Sequence, residues 1–452
     1  MLGNDAIVKP RIAWFSPSGE STDEQEKRYS LSKYFSDNLL PHLQEEFEID
    51  LFASETGQIV VSRNPSSYHF LTARLRHLEK PYDLFVYNFE DEPECDFIRS
   101  HINLLPGIGI FHDFILKSDG PEPILNSGWR EFLKIFLDSH ECWFDLNKEH
   151  KKVSRHALRE SAFNIVSLFT DPRMKVEHDH ALASSIVDRV DAQKAYPRSY
   201  YIPWPINYRL NQQIKLPTKE LLLAYNGNLA PDNRAHVLLE ALCQPDSPPV
   251  RLVWFLNKKE VPKAQELLAE FPLIQVEFKF GSSPADWELV VANCDIAIHL
   301  SINPLRQFGP YLPISLAAGK PTLVSNFGAA HFWSEHLLFK ISTGAREVSE
   351  LSQVIKYIND HRQACFQKAT SCAENIKNFF AAERAAEDLK AILRKFLPRS
   401  REILSLWREF ELSARKNLGQ RVAQRYARDP IWKILKENAE VKKRFYFTSV
   451  DE

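Results

Sequence analysis

The stretch LLLAYNGNLAPDNRAHVLLEAL, residues Leu221 to Leu242, runs from an apolar segment through a polar turn into an apolar pattern of helical spacing. The segment predicts a buried strand, and the pattern after the turn predicts a helix that packs on it. Strand followed by helix is the unit from which parallel sheets are built, because parallel strands need a long crossover connection. This stretch therefore predicts the α/β fold class.

The same unit recurs in both directions along the chain. Further strands of the second half are predicted at residues 250–257, 276–281, 295–301, 321–326 and 337–342. The first half has predicted strands at residues 11–17, 48–54, 82–89, 107–113, 164–170 and 199–206. We predict an α/β chain with two facing, doubly wound, Rossmann-like domains, residues 1–206 and 207–395, followed by a basic helical extension, residues 396–452.

Length and composition exclude several protein classes. A chain of 452 residues is too long for one ordinary core, which agrees with two domains. Lys and Arg number 57 against 59 Asp and Glu, a balance that argues against a nucleic-acid binder. The six cysteines form no CxxC pair, so neither a zinc site nor a disulfide framework is expected. Without an apolar leader or spanning segment, the chain is predicted to be soluble and cytoplasmic.

Residues 394–428 form a basic run with ten Lys and Arg against three Asp and Glu. One interpretation is a face that contacts anionic lipid headgroups at the inner side of the membrane, or a partner protein. The other is a solvated helix face whose charge is balanced by acids elsewhere, which is what charge runs usually are. The second interpretation is favoured.

The turn after the strand at residue 221 contains Gly227, Asn228 and Pro231, and Arg234 stands where the helix begins. Ligands of doubly wound sheets bind outside the carboxyl ends of the strands. A helix N-terminus beside an arginine can hold an anion such as a diphosphate. The alternative is an ordinary turn with a solvated arginine.

A second loop and two strand ends are expected to face the same cleft. Arg306, Gln307 and Gly309 follow one predicted strand, and Ser325 and Asn326 end the next. Their polar side chains and free amides would extend the anion site, whereas the alternative is a purely structural loop.

His112 and Asp113 come just past a strand of the first half. A histidine there can hydrogen-bond a hydroxyl group or a developing charge, with a carboxylate beside it. The alternative is a histidine that only caps a strand end. The acidic run at residues 90–96 has no metal-ligand spacing, so we predict a solvated loop and no metal.

Several of these segments together resemble one family. PGIGIFHDFIL, residues 106–116, is similar to a PGvvvLHDfxL segment, and SLAAGKPTLVSNFG, residues 315–328, is similar to ALAxGKPtvVSdxG. WFSP at residues 14–17 and the turn at residues 227–234 match two further segments. Over about residues 10–345, the chain resembles a bacterial branch of the GT-B glycosyltransferases of glycosyltransferase family 4.

This resemblance implies sugar transfer from a nucleoside-diphosphate sugar with retention, without an essential metal or cofactor. The donor would lie on the C-terminal domain, and a glycan, lipid-linked or protein acceptor on the N-terminal one. By position, His112 would meet the transferred sugar, and His112 and Asp113 are the predicted catalytic residues. Arg234 would hold the diphosphate. The donor side would be lined by Asn228, Arg234, Arg306, Gln307, Gly309, Ser325 and Asn326.

The chain departs from the family at charged positions. Arg306 or Gln307 occupies the slot of one family glutamate, a second would fall near Ile314, and Asn233 replaces the lysine of the diphosphate turn. Three functions therefore stay open. The first is an active glycosyltransferase, the second is a catalytically weakened partner or scaffold of another transferase, and the least favoured is a nucleotide-sugar epimerase.

Overall fold

The computed structural model describes residues 9–17, 30–54, 66–90, 92–95, 97–98, 101, 105, 107–112, 164–170, 199–208, 220–281, 283–302 and 308–426. All strands within these ranges lie in two parallel sheets, one in each half of the chain. This confirms the predicted α/β class with two doubly wound units.

The first sheet has seven strands in the order β3-β2-β1-β4-β5-β6-β7. Their bounds are β1 Arg11–Phe15, β2 Glu48–Ala53, β3 Ser66–His69, β4 Leu84–Phe89, β5 Gly107–Phe111, β6 Asn164–Phe169 and β7 Ser199–Tyr201. Six of them were predicted. The edge strand β3 was missed because SSYH has no apolar run to mark it.

The second sheet has six strands in the order β10-β9-β8-β11-β12-β13. Their bounds are β8 Leu221–Asn226, β9 Val250–Leu256, β10 Gln275–Phe280, β11 Ile296–His299, β12 Thr322–Ser325 and β13 Phe339–Ile341. All six correspond to predicted strands.

Helices cover both faces of the sheets. Their bounds are α1 Leu31–Leu43, α2 Ala73–Glu79, α3 Ala235–Leu242, α4 Val261–Leu268, α5 Pro284–Ala292, α6 Tyr311–Ala317, α7 Glu347–Asp360, α8 Arg362–Phe380 and α9 Ala382–Tyr426. Short 3₁₀ turns lie at Phe70–Thr72, Pro93–Cys95, Pro231–Asn233, Lys258–Glu260 and Gly328–Phe332.

Side chains alternate between two cores across the first sheet. Along β1, Ile12 and Trp14 belong to one core, and Ala13 and Phe15 to the other, all four fully buried. A strand that is covered on both faces has to be apolar on both faces, which explains the continuous apolar runs in the sequence. The second sheet repeats this arrangement, with Trp254 and Val253 on opposite faces of β9.

The long helix α9 returns to the first half of the chain. Its residues Ala385, Leu389 and Leu393 are buried in the same core as Trp14. The helix therefore contacts the first sheet well ahead of residue 396, where the extension was predicted to begin. The division into three segments stays a prediction.

Basic residues of α9 pair with acids of the first half. Arg394 bonds Glu46 in a two-pronged pair, and Arg401 Nε lies 2.7 Å from Asp83 Oδ1. Arg408 donates to the carbonyl oxygen of Leu78 at 2.9 Å. These contacts favour the balanced-face interpretation for residues 394–408. Residues 427–452 lie outside the described part.

Within the described ranges, we find no helix that combines the length and the apolar character required to cross a bilayer.

The packing of α9 is tested by two leucines of the same helix. Leu389 is fully buried and Leu406 is 61% exposed. Leu389→Ala should lower the free energy of unfolding by about 2–5 kcal/mol, because it removes apolar contacts and leaves a cavity. Leu406→Ala should stay within about 0.5 kcal/mol of the wild type. Urea denaturation followed by circular dichroism measures both, and equal effects would contradict the packing described here.

Candidate active site

A cavity of about 500 Å³ lies between the two halves, at the carboxyl ends of both sheets. We call it the polar cavity. From the first half it is lined by Ser30, Leu31, Glu90, Glu92 and Glu94, and from the second half by Asn226, Gly227, Asn228, Asp232, Asn233, Asn257, Glu260, His299, Ser301, Phe308 and Tyr311, among others. Its volume is in the range of small-ligand sites.

The start of α1 forms one wall of the polar cavity. Ser30 caps this helix by accepting a bond from the Lys33 amide at 3.2 Å. Glu90 Oε2 accepts from Ser30 Oγ at 3.1 Å and from the Ser32 amide at 3.0 Å. Free amides at a helix N-terminus attract anions, so the protein's own carboxylate already occupies this position.

Behind this wall, His112 is held by two neighbours. The Asn88 amide nitrogen donates to the Ser32 carbonyl at 2.6 Å, which leaves the Asn88 oxygen as acceptor for His112 Nε2 at 2.7 Å. Nδ1 lies 3.0 Å from Thr170 Oγ1. Both ring nitrogens are thus engaged within the first half, in the tautomer that carries its proton on Nε2.

The surroundings of His112 are apolar. Its ring stacks on Trp204 with centroids 4.5 Å apart and packs against Phe35 at 4.9 Å. Only 2% of the residue is exposed. Burial disfavours the charged ring and lowers the pKa of His112 to about 3, so it is neutral at pH 7. Asp113, its predicted catalytic partner, lies outside the described residues.

On the opposite wall, the turn after β8 is tied down from several sides. Asn228 Oδ1 accepts from the Ala230 amide at 2.9 Å and also bonds the Asn233 amide group. The Gly227 carbonyl accepts from Trp254 Nε1 at 2.8 Å. The predicted donor-binding residue Asn228 therefore lines the cavity in a fixed turn.

Arg234 lies at the start of α3 in the left-handed region, with φ 59°. Its Nε and Nη2 bond the carboxylate of Glu347, which is 1% exposed. Nη1 makes no hydrogen bond with any residue that the structure describes. Arg234 is not among the residues that line the polar cavity, although its neighbours Asp232 and Asn233 are.

His299, the last residue of β11, was not among the residues predicted from the sequence. It lines the polar cavity, and its Nε2 lies 2.8 Å from Ser315 Oγ, which also accepts from Trp287 Nε1 at 3.0 Å. Burial lowers the pKa of His299 to about 3. Its place at a strand's carboxyl end was the available signal, by the same rule that singled out His112.

Gly309 lies where the two halves approach each other. It has φ +58°, which favours glycine, and a Cβ there would stand 3.1 Å from Leu31 Cδ1 across the cleft. Ser325 Oγ accepts from the Ser301 amide at 3.1 Å and so positions a cavity residue without lining the cavity itself. Asn326 does not line it either.

Arg306 and Gln307, the two remaining predicted donor-binding residues, lie outside the described residues. The donor-binding and catalytic assignments as a whole stay predictions.

The described lining of the polar cavity is acidic. It contains five carboxylates and, among the lining residues that the structure places, neither Lys nor Arg; the acids are Glu90, Glu92, Glu94, Asp232 and Glu260. In the described part of the chain, no three His, Cys, Asp or Glu side chains are grouped closely enough to hold a metal ion. A bound diphosphate would therefore depend on cations from outside this set.

A second cavity of about 520 Å³ lies beside the first. We call it the apolar cavity. Its lining comes from the segment around Trp204, the start of α6 and the end of α8, and comprises Thr170, Tyr201, Trp204, Phe308, Gly309, Leu312, Pro313, Ala329, Trp333, Ser334, Leu337, Cys372, Asn375, Ile376, Phe379 and Phe380.

No protein-family model matches the sequence, and no curated protein matches it. Solved structures do. HepE from Anabaena, in complex with UDP and glucose, is 18% identical, with a TM-score of 0.59 over 85% of this chain and all of HepE. Sucrose-phosphate synthase from Thermosynechococcus elongatus is 15% identical, with a TM-score of 0.57 over 86% of this chain and 100% of that one.

A glycosyltransferase from Rickettsia africae is 13% identical, with a TM-score of 0.54 over 86% of this chain and 99% of that one. The chain has the GT-B fold. At these identities the likeness shows the fold alone, so membership of glycosyltransferase family 4 stays a prediction.

The buried state of His112 has a measurable pH dependence. Its folded pKa of about 3 lies below the ordinary 6.5, so the unfolded chain takes up the proton first as the pH falls. The stabilisation is fully present above pH 6.5 and is lost progressively from there towards pH 3, by about 2 kcal/mol at pH 5. His112→Gln removes this titration and keeps a polar group beside Asn88.

We therefore expect the free energy of unfolding of His112→Gln to fall less between pH 7 and pH 5 than that of the wild type. Urea denaturation at each pH gives the values. His331→Gln changes an exposed histidine and should retain the wild-type dependence. Identical pH dependence in all three proteins would show that His112 titrates normally.

Proposed function

We propose that the protein is a glycosyltransferase that moves a sugar from a nucleoside-diphosphate sugar to an acceptor hydroxyl. The observation that carries this proposal is the polar cavity, which lies between two GT-B domains and is lined by strand-end residues of both. In doubly wound sheets this is where ligands bind. The HepE structure, whose fold this chain shares, holds UDP and glucose, which supports a nucleotide-sugar donor.

In this proposal the donor lies against the second half. The turn at Gly227 and Asn228 contributes polar groups. Arg234 follows the lining residue Asn233 without lining the cavity itself, and a donor that reached past Asn233 would meet Nη1, the guanidinium nitrogen that Glu347 does not bond. A charge-assisted bond to phosphate is stronger than one between neutral groups. Retention of the anomeric configuration and independence of a metal follow from the family resemblance and belong to the proposal.

His112 acts in this proposal as a neutral residue. A ring with a pKa of about 3 is a poor base at pH 7 and carries no charge towards the diphosphate. Asn88 and Thr170 fix its orientation and its tautomer. It lines neither cavity, so its part is to support Trp204, on which it stacks, and not to remove a proton.

Donor binding is tested by thermal unfolding with UDP-, GDP-, ADP- and dTDP-linked sugars. A ligand at about 100 times its Kd adds about 2.7 kcal/mol to the stability of the folded chain, which raises the melting temperature measurably. We expect at least one donor to do so. Ala230→Trp should abolish this shift by filling the mouth of the polar cavity, since Ala230 is exposed and lines it.

Ala269→Trp is the matched control. Ala269 is an exposed alanine of the same half and does not line the polar cavity. This variant should keep the wild-type shift. If no donor in the panel shifts the wild-type melting temperature, or if both variants respond alike, the polar cavity is not the donor site.

A second candidate function is a transferase-like partner protein with little or no turnover. The acidic lining of the polar cavity favours it, because carboxylates repel a diphosphate and no lining residue that the structure places offsets them. A turnover assay of the isolated chain with the same donors distinguishes the two candidate functions. Release of nucleoside diphosphate would exclude the partner role as the main one, whereas donor binding without release would support it.

A further inference from the structure

The apolar cavity is built largely from aromatic rings. Six of its lining residues carry one, namely Tyr201, Trp204, Phe308, Trp333, Phe379 and Phe380. Trp333 and Phe380 stack on each other with centroids 5.6 Å apart. A volume of about 520 Å³ is that of a pocket for a compact organic molecule. Aromatic walls bind apolar rings and chains.

The apolar cavity adjoins the polar cavity. Phe308 lines both of them. Trp204 and Thr170 also line the apolar cavity. The Trp204 ring stacks on the His112 ring with centroids 4.5 Å apart, and Thr170 Oγ1 lies 3.0 Å from His112 Nδ1. A molecule in the apolar cavity would thus lie against the two residues that hold His112 and next to a donor in the polar cavity.

We propose that the apolar cavity binds the acceptor and that the acceptor is an apolar alcohol or phenol. This inference rests on the proposed function and names its acceptor class. Among the lining residues that the structure places, the polar side chains are Thr170, Tyr201, Trp204, Ser334, Cys372 and Asn375, too few for the many hydroxyls of a glycan. An apolar molecule with one reactive hydroxyl matches the lining.

The reaction follows from this placement. The acceptor's hydroxyl oxygen forms a bond to the anomeric carbon of the donor sugar, and the bond from that carbon to the diphosphate oxygen breaks. The nucleoside diphosphate leaves with the electron pair of that bond, and the hydroxyl proton passes to a phosphate oxygen. The apolar body of the acceptor stays in the apolar cavity throughout.

The test is a fluorescence titration of 4-methylumbelliferone, a small phenol, into the full chain without any nucleotide sugar. We expect saturable binding to the wild type. Cys372→Trp fills the apolar cavity from α8 and should weaken binding at least tenfold. Asn378→Trp changes an exposed residue of the same helix that does not line the cavity and should bind as the wild type does.

Asn375→Trp repeats the test from a second lining position if Cys372→Trp does not fold. Maltose should not compete with the phenol. If dodecanol displaces the phenol, the acceptor is a chain alcohol. If dodecanol does not displace it, the acceptor is a ring compound. The proposal is overturned if the wild type shows no saturable binding, if the lining and control variants bind equally, or if maltose displaces the phenol.

The donor does not enter this titration, so its outcome is separate from that of the proposed function. Phenol binding without any donor-induced thermal shift would support the apolar cavity as a binding site and contradict the proposed transferase function. A donor-induced shift without phenol binding would support the transferase function and contradict the proposed acceptor class.

Discussion

The cleft depends on the place where the chain passes from the first half to the second and, later, back again. Ile206 leaves the first half and Ala381 returns to it, and the two residues pair in a β-bridge in which the Ile206 amide donates to the Phe380 carbonyl at 2.7 Å. Helix α9 follows directly and buries Leu389 in the core of the first sheet. Because both cavities are lined from both halves, their shapes depend on this crossing.

Electrostatics divide the cleft into two environments. The polar cavity has carboxylates on both walls, and one of them, Glu90, already occupies the N-terminus of α1. The apolar cavity beside it has aromatic walls. His112, buried and neutral, is not among the residues that line either cavity and stacks on Trp204, which lines the apolar one. This division suits the proposed polar donor and the proposed apolar acceptor.

Much of the fold follows from local sequence because strands buried on both faces carry apolar runs. Twelve strands were predicted in this way, while β3, SSYH, was missed because its pattern is polar. The site was less predictable. His112 was placed at a strand end correctly, but its burial arises from Trp204 and Thr170, which are distant in sequence. The Glu347 partner of Arg234, 113 residues away, has no local signal.

Donor binding in the cleft is tested most directly by a crystal structure of the chain with the nucleotide sugar that stabilises it most. We expect the diphosphate beside the turn at Asn228, within reach of Arg234 Nη1, and the sugar at the junction of the two cavities near Phe308. A nucleotide bound outside the cleft, or a cleft that stays empty at a saturating donor concentration, would contradict it.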